Sequence, residues 1–199
     1  MLRYIVFTIL FSFICVGCTS TAVESSSPAE PLPTPIKVAD SFAYPIGNTK
    51  GVTAAKDKDA WYNAQDFGEN NHLGEDWNKN TGGNSDCGEP VYATANGKVV
   101  FAQDAGPGWG NVIIVDHRLP SGETVQSLYG HLREINKSEG EVTKRDLIGT
   151  IGDANGRYPC HLHFEIRTND CPIWDSAGPG YSSERKGWVE PSNFIDARR

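Results

Sequence analysis

The chain has 199 residues, enough for one domain of ordinary size with a tail. It is 38% hydrophobic and 22% charged, which excludes a polytopic membrane protein. Lys and Arg total 18 against 25 Asp and Glu, a net charge of −7, and this argues against a nucleic-acid partner, which needs clustered positive charge.

The first element is an address. Arg3 gives a short positive start, and residues 4–16 form an apolar run too short to cross a bilayer of ~30 Å as a helix. The run ends in Cys15-Val16-Gly17-Cys18, which looks like a bacterial lipoprotein processing site. Residues 1–17 are therefore expected to be a signal peptide, with Cys18 lipidated as the first mature residue. Residues 19–36 hold four Pro, four Ser and three Thr and no aromatic residue. They cannot bury enough apolar surface to fold and read as a tether from 18 to 36, reaching ~55 Å at ~3.1 Å per residue.

From residue 37 to 199 the composition is that of a folded domain. A helical turn is expected within residues 53–63, and residues 134–144 read as polar and turn-like. Strand signals dominate. Pro90-Val-Tyr-Ala-Thr-Ala95 and Lys98-Val-Val-Phe-Ala102 flank Asn96-Gly97, the signature of a tight hairpin. Asn111-Val-Ile-Ile-Val115, residues 124–128 after a turn near Ser121-Gly122, residues 147–151 and residues 162–167 follow. About six short strands at this spacing predict an antiparallel all-β domain.

The chemistry concentrates in the histidines. His161-Leu-His-Phe-Glu-Ile-Arg167 alternates with a period of two. Leu162, Phe164 and Ile166 then face the core, while His161, His163, Glu165 and Arg167 share the other face. Two imidazoles on one strand face suit a metal ion or a general base. His72-x-x-x-Asp76 is interrupted by Gly74 and flanked by Asn, so it belongs on a strand end or loop rather than a helix. Tyr129-Gly-His-Leu132 adds His131 after a strand. Four His and one Asp fit a catalytic zinc site with three protein ligands and one open position.

The ordered blocks, together with Gly110-Asn-Val-Ile-Ile-Val-Asp-His117, Ile148-Gly-Thr-Ile-Gly152 and the closing Trp188-Val-Glu-Pro191, resemble the lysostaphin/LytM-type M23 zinc metallopeptidases. The resemblance covers residues 67–195. It implies an antiparallel β-sheet sandwich or barrel-like core with a groove holding one Zn2+. It implies that His72, Asp76 and His163 ligate the zinc, that His161 is general base, and that His131 orients water or stabilises the oxyanion. It implies a peptidoglycan peptide as substrate, in keeping with an exported, lipid-anchored protein of the cell envelope, on the periplasmic or the cell-surface side. The alternative is a non-catalytic M23-like regulator of another wall hydrolase. The chain departs from the family pattern in carrying Cys160 before the His-x-His and in a long Gly/Asn-rich stretch at 77–89.

Other residues have plainer expectations. His117 reads as a surface or turn-packing residue at a strand end, Glu75 as a solvated loop side chain, and Glu165 with Arg167 as an ion pair. Asn111 reads as a turn residue or a hydrogen-bonding neighbour of the site. Trp77 and Trp109 are expected to pack or to line a groove. Cys87, Cys160 and Cys171 remain after processing, and their odd number allows one internal disulfide at most. A strand over 161–167 carries the chain ~23 Å, and four residues cannot easily return it, so Cys87 bonded to Cys160 or Cys171 is favoured. Cys160 as an extra zinc ligand is the alternative.

Overall fold

The computed structural model describes residues 37–48, 60–174 and 176–199. The leader, Cys18 and the tether lie outside them. Among the described residues ten strands run in chain order as β1 (Trp61–Gln65), β2 (Glu75–Lys79), β3 (Pro90–Tyr92), β4 (Gly97–Asp104) and β5 (Asn111–Arg118), then β6 (Thr124–Ile135), β7 (Gly140–Val142), β8 (Leu147–Ile151), β9 (Leu162–Thr168) and β10 (Trp188–Val189). One short helix, α1 (Pro191–Asp196), follows.

All pairings are antiparallel, in the order β1-β2-β9-β6-β5-β4-β7, so the expected all-β class is observed. The strands form one continuous sheet that branches at β6. The first half of β6 pairs β9 over Val125–Gly130, and its second half pairs β8 over Leu132–Ile135. β3 extends the sheet beyond β8, and β10 adds to the far end of β9.

The sheet is covered on both faces. Val91, Ile113, Val115, Tyr129, Leu132, Leu162, Phe164 and Ile166 build the main core with Phe42, Tyr44 and Ile46 from the leading segment. Val112, Ile114 and Leu128 form a smaller cluster on the opposite face with Trp109 and Ala177. A sheet buried on both faces explains why β6 is buried from Val125 to Leu132 although Gln126, Ser127 and His131 are polar.

Several expectations are corrected. Asn96-Gly97 does not close a hairpin, because β3 pairs β8 whereas β4 pairs β5 and β7. Gly97 is required by close approach instead: a Cβ there would lie 2.3 Å from the carbonyl oxygen of Asp116. Asn96 ties its surroundings, donating to the Val38 carbonyl and accepting from the Lys144 N–H. Residues 134–144 contain the end of β6 and all of β7. Trp61–Asn63 lie in a strand rather than a helical turn, and 53–59 fall outside the described residues.

His117 is not at the surface. It is fully buried, with Nδ1 2.8 Å from the Asn96 carbonyl and Nε2 2.7 Å from Ser127 Oγ, which in turn is bonded to Tyr129 Oη. Burial pushes its pKa down to about 4, so the ring is neutral. Glu75 is not solvated either. It is buried on β2 and accepts from Trp77 Nε1, the Ser192 backbone N–H and the Ser192 hydroxyl, which joins α1 to the sheet.

Cys87 and Cys160 form the disulfide, with Cα atoms 5.3 Å apart and a sequence separation of 73. Both sulfurs are consumed, so Cys160 offers no thiolate to a metal. Cys171 is a buried thiol donating to the Ile173 carbonyl. Asn84 and Asn78 bind the backbone N–H and carbonyl of Cys160, fastening the Gly/Asn-rich stretch beside His161.

Candidate metal centre

β2 and β9 lie side by side with Asp76 opposite His163 in register. His72 precedes β2 in an isolated bridge to Tyr181. Gly74 between them admits the β9 backbone, since a Cβ there would sit 2.5 Å from the Phe164 carbonyl oxygen. This close approach brings three donor atoms together. His72 Nε2 lies 2.9 Å from His163 Nδ1 and 3.3 Å from Asp76 Oδ1, and His163 Nδ1 lies 3.1 Å from the same oxygen.

The donor set tests whether a divalent cation fits. His163 Nε2 faces Glu165 Oε1 at 3.0 Å, and a carboxylate only accepts, so Nε2 carries the hydrogen. In the neutral ring Nδ1 is then a lone pair, aimed at His72 Nε2 and at Asp76. Without a metal a proton must fill that position. Although burial opposes it, Asp76 and Glu165 hold the His163 pKa up at about 9. Asp76 is partly buried, which opposes its ionisation, yet its hydrogen bonds to His163 and His72 hold its carboxyl far below the usual range. Two imidazoles and a carboxylate suit Zn2+, and the residues present fit it.

The remaining two His flank this cluster. His161 Nδ1 is 2.8 Å from the Pro159 carbonyl, so it donates there and leaves Nε2 as an acceptor, 3.7 Å from Asp76 Oδ2. His131 sits in β6 with φ +61°, a left-handed conformation rare for a side chain of this size. The β5–β6 register shifts beside it, so the bulge turns its ring into the groove. Both its backbone N–H and Nδ1 bond to the Trp109 carbonyl, at 3.0 and 3.1 Å. Burial, with the neighbouring His163 and His161, lowers the His131 pKa to about 3 and keeps it neutral. The His131 and His161 rings are 4.7 Å apart.

These side chains open into a groove of about 350 Å3. Trp109, Tyr158 and Tyr181 line it, with Gln65 beyond, and Tyr181 Oη donates to Gln65 Oε1. Trp109 thus lines the groove, whereas Trp77 is in the core. Asn111 Nδ2 bonds to the Arg133 carbonyl. Sequence reasoning passed over Tyr158, Tyr181 and Gln65, which come from loops or an edge strand with no periodic signal. It also read Glu165 and Arg167 as an ordinary ion pair. They do pair, at 2.7 Å, but both are fully buried, and Trp188 Nε1 adds a third donor to the carboxylate. Burial alone would raise the Glu165 pKa, but Arg167 and the His163 and Trp188 donors bring it below the usual value.

Fold and donor geometry together define a class: an all-β chain in whose groove two His and one Asp bring their donor atoms close enough to hold one metal ion, with two further His beside them. Peptidase family M23 is matched over residues 70–174, and the chain belongs to this family. It is 35% identical over 86 residues to the DD-carboxypeptidase/endopeptidase Mpg of Neisseria meningitidis serogroup B, a match covering 43% of this chain and 19% of that one. It is 28% identical over 158 residues to the murein hydrolase activator NlpD of Salmonella typhimurium, covering 76% of this chain and 33% of that one. The chain therefore spans about a fifth to a third of these relatives. Among solved structures, the SpoIIQ–SpoIIIAH pore-forming complex contains a chain sharing the fold, with a TM-score of 0.52, 22% identity, and coverage of 80% of this chain and 94% of that one.

Proposed function

We propose that the protein is a zinc-dependent endopeptidase that cuts peptide cross-links of bacterial peptidoglycan, held at a membrane of the cell envelope by a lipid on Cys18. One observation carries the reading: His161 and His131 converge on the His72–Asp76–His163 cluster at the floor of a solvent-open groove.

His72, Asp76 and His163 would hold the zinc, which would supply a water acidified to a pKa of about 7 and a Lewis acid for the scissile carbonyl. His161 Nε2, with Nδ1 committed to Pro159, is the acceptor that takes the proton from the attacking water and returns it to the leaving amine. His131 has Nδ1–H committed to Trp109, so its Nε2 is also an acceptor. This favours orienting the water over donating to an oxyanion.

The test is digestion of peptidoglycan of defined chemistry by the purified zinc-loaded protein, with products identified by mass spectrometry. Chelator-sensitive products with new peptide ends support the endopeptidase. The name of the Salmonella relative gives the second reading, a regulator of another hydrolase. That reading gains if the zinc-loaded protein releases no products from any wall but stimulates an amidase.

A further inference from the structure

Behind the groove lies a second, fully buried layer of charge. Glu165 and Arg167 follow His163 at alternate positions of β9, so the three share one face. Glu165 Oε1 takes the His163 Nε2–H, while Oε2 accepts from Arg167 Nε at 2.8 Å, Arg167 Nη2 at 2.7 Å and Trp188 Nε1 at 2.8 Å. Nη1 of the same guanidinium donates to the backbone carbonyl of Ser176, with that of Ile173 at 3.5 Å, and Nη2 also donates to the carbonyl of Ala177. These carbonyls belong to the segment leading into Pro179, Gly180 and Tyr181, which line the groove. The segment is fixed from across the groove by Trp109 Nε1, which donates to the Gly178 carbonyl, and the Tyr181 ring stacks on His72.

We propose that Glu165 and Arg167 are positioning residues with separable duties: Glu165 holds His163 as the tautomer that presents Nδ1 to the metal, and Arg167 fixes the backbone of the groove wall at Ile173 and over 176–181. The proposal rests on the zinc endopeptidase reading. Its chemistry follows from the two oxygens of Glu165. Oε2 is claimed by three N–H donors, so a glutamine at 165 must give its single oxygen to them. Its NH2 then turns to His163 and donates to Nε2, which moves the ring hydrogen to Nδ1, the atom needed by the metal. Arg167 differs. Its planar fork spans the carboxylate and the loop carbonyls at once, a geometry that one lysine ammonium cannot copy.

The experiment compares wild type with Glu165→Gln and Arg167→Lys in the full chain. Zinc affinity is read by chelator competition, the His163 ring by nitrogen NMR of the zinc-loaded protein, and the wall by amide hydrogen exchange over 173–181. Glu165→Gln is expected to weaken zinc by about 10- to 100-fold while exchange in the wall stays within threefold. Arg167→Lys is expected to leave zinc affinity within about threefold of wild type, to speed exchange in the wall by about tenfold or more, and to raise KM more than it lowers kcat. Unchanged zinc affinity in Glu165→Gln, or equal damage to metal and wall in both variants, overturns the separation of duties. Wild type alone supplies a further check should a variant not fold: the zinc-loaded protein must show a slowly exchanging proton on His163 Nε2, and its absence overturns the role given to Glu165. A wild type that binds no zinc overturns the endopeptidase reading itself, whereas wild-type binding with an indifferent Glu165→Gln overturns only this proposal.

Discussion

His72 Nε2 and His163 Nδ1 stand 2.9 Å apart, both facing one oxygen of Asp76. Two ring lone pairs at this separation repel unless a proton or a metal cation lies between them. Zinc is therefore expected to bind the folded chain and to raise its melting temperature. At a hundredfold excess over Kd the gain is about 2.7 kcal/mol, and a chelator reverses it. His163→Ala should lose the zinc-dependent part of the shift. A melting curve indifferent to zinc in wild type would sink the metal site.

The two flanking His are expected to separate chemistry from metal binding. His161→Ala should lower kcat by about 10^2- to 10^4-fold, the usual range for a lost general base, while zinc affinity stays within a few-fold of wild type. His131 needs a different substitution because its backbone φ is +61°. Asn tolerates that region better than Ala, so His131→Asn tests the ring with the least added backbone strain. A drop in kcat with unchanged zinc content supports its role, and full activity in His131→Asn removes it.

The alternation over His161–Arg167 is legible because strand side chains must point to opposite faces, and Leu162, Phe164 and Ile166 do enter the core. Burial of the other face is not legible. It depends on the segment after Cys171 folding back over β9, and that segment has no period of its own. β2 reads as polar because Glu75, Asp76, Asn78 and Lys79 find partners only in the folded chain. His131 illustrates a further limit. Its place in Gly130-His131 marks the end of an apolar run, yet the bulge that aims the ring is set by pairing with β5, a non-local term. Asn96-Gly97 misleads for the same reason: the chain uses the glycine for close approach to β5, where a local rule assigns a turn.

The Cys87–Cys160 bond closes a loop at a sequence separation of 73. In the chain-entropy account such a loop contributes about 4 kcal/mol through the unfolded state. Cys87→Ser with Cys160→Ser, or reductant alone, should therefore lower the urea midpoint without changing zinc stoichiometry. The bond also fixes the residue before His161, so activity is expected to fall more steeply with temperature in the double variant than in wild type. Identical midpoints with and without reductant would count against any stabilising role.

His117 makes stability depend on pH away from the groove. Its folded pKa is about 4, against about 6.5 for an unperturbed imidazole, because burial disfavours the charged ring more than the hydrogen bond to the Asn96 carbonyl favours it. The unfolded chain takes up the proton as pH falls through 6.5, and the folded chain does so only near 4. The contribution is thus complete above about pH 6.5 and shrinks as pH drops, by about 3 kcal/mol at pH 4. Other groups titrate in the same window, so the measurement is the difference between wild type and His117→Gln, each unfolded in urea at pH 7.5 and at pH 4. The wild type should be favoured at pH 7.5 and lose most of that margin at pH 4. A margin that stays constant across the two pH values would mean that His117 takes up its proton equally in both states.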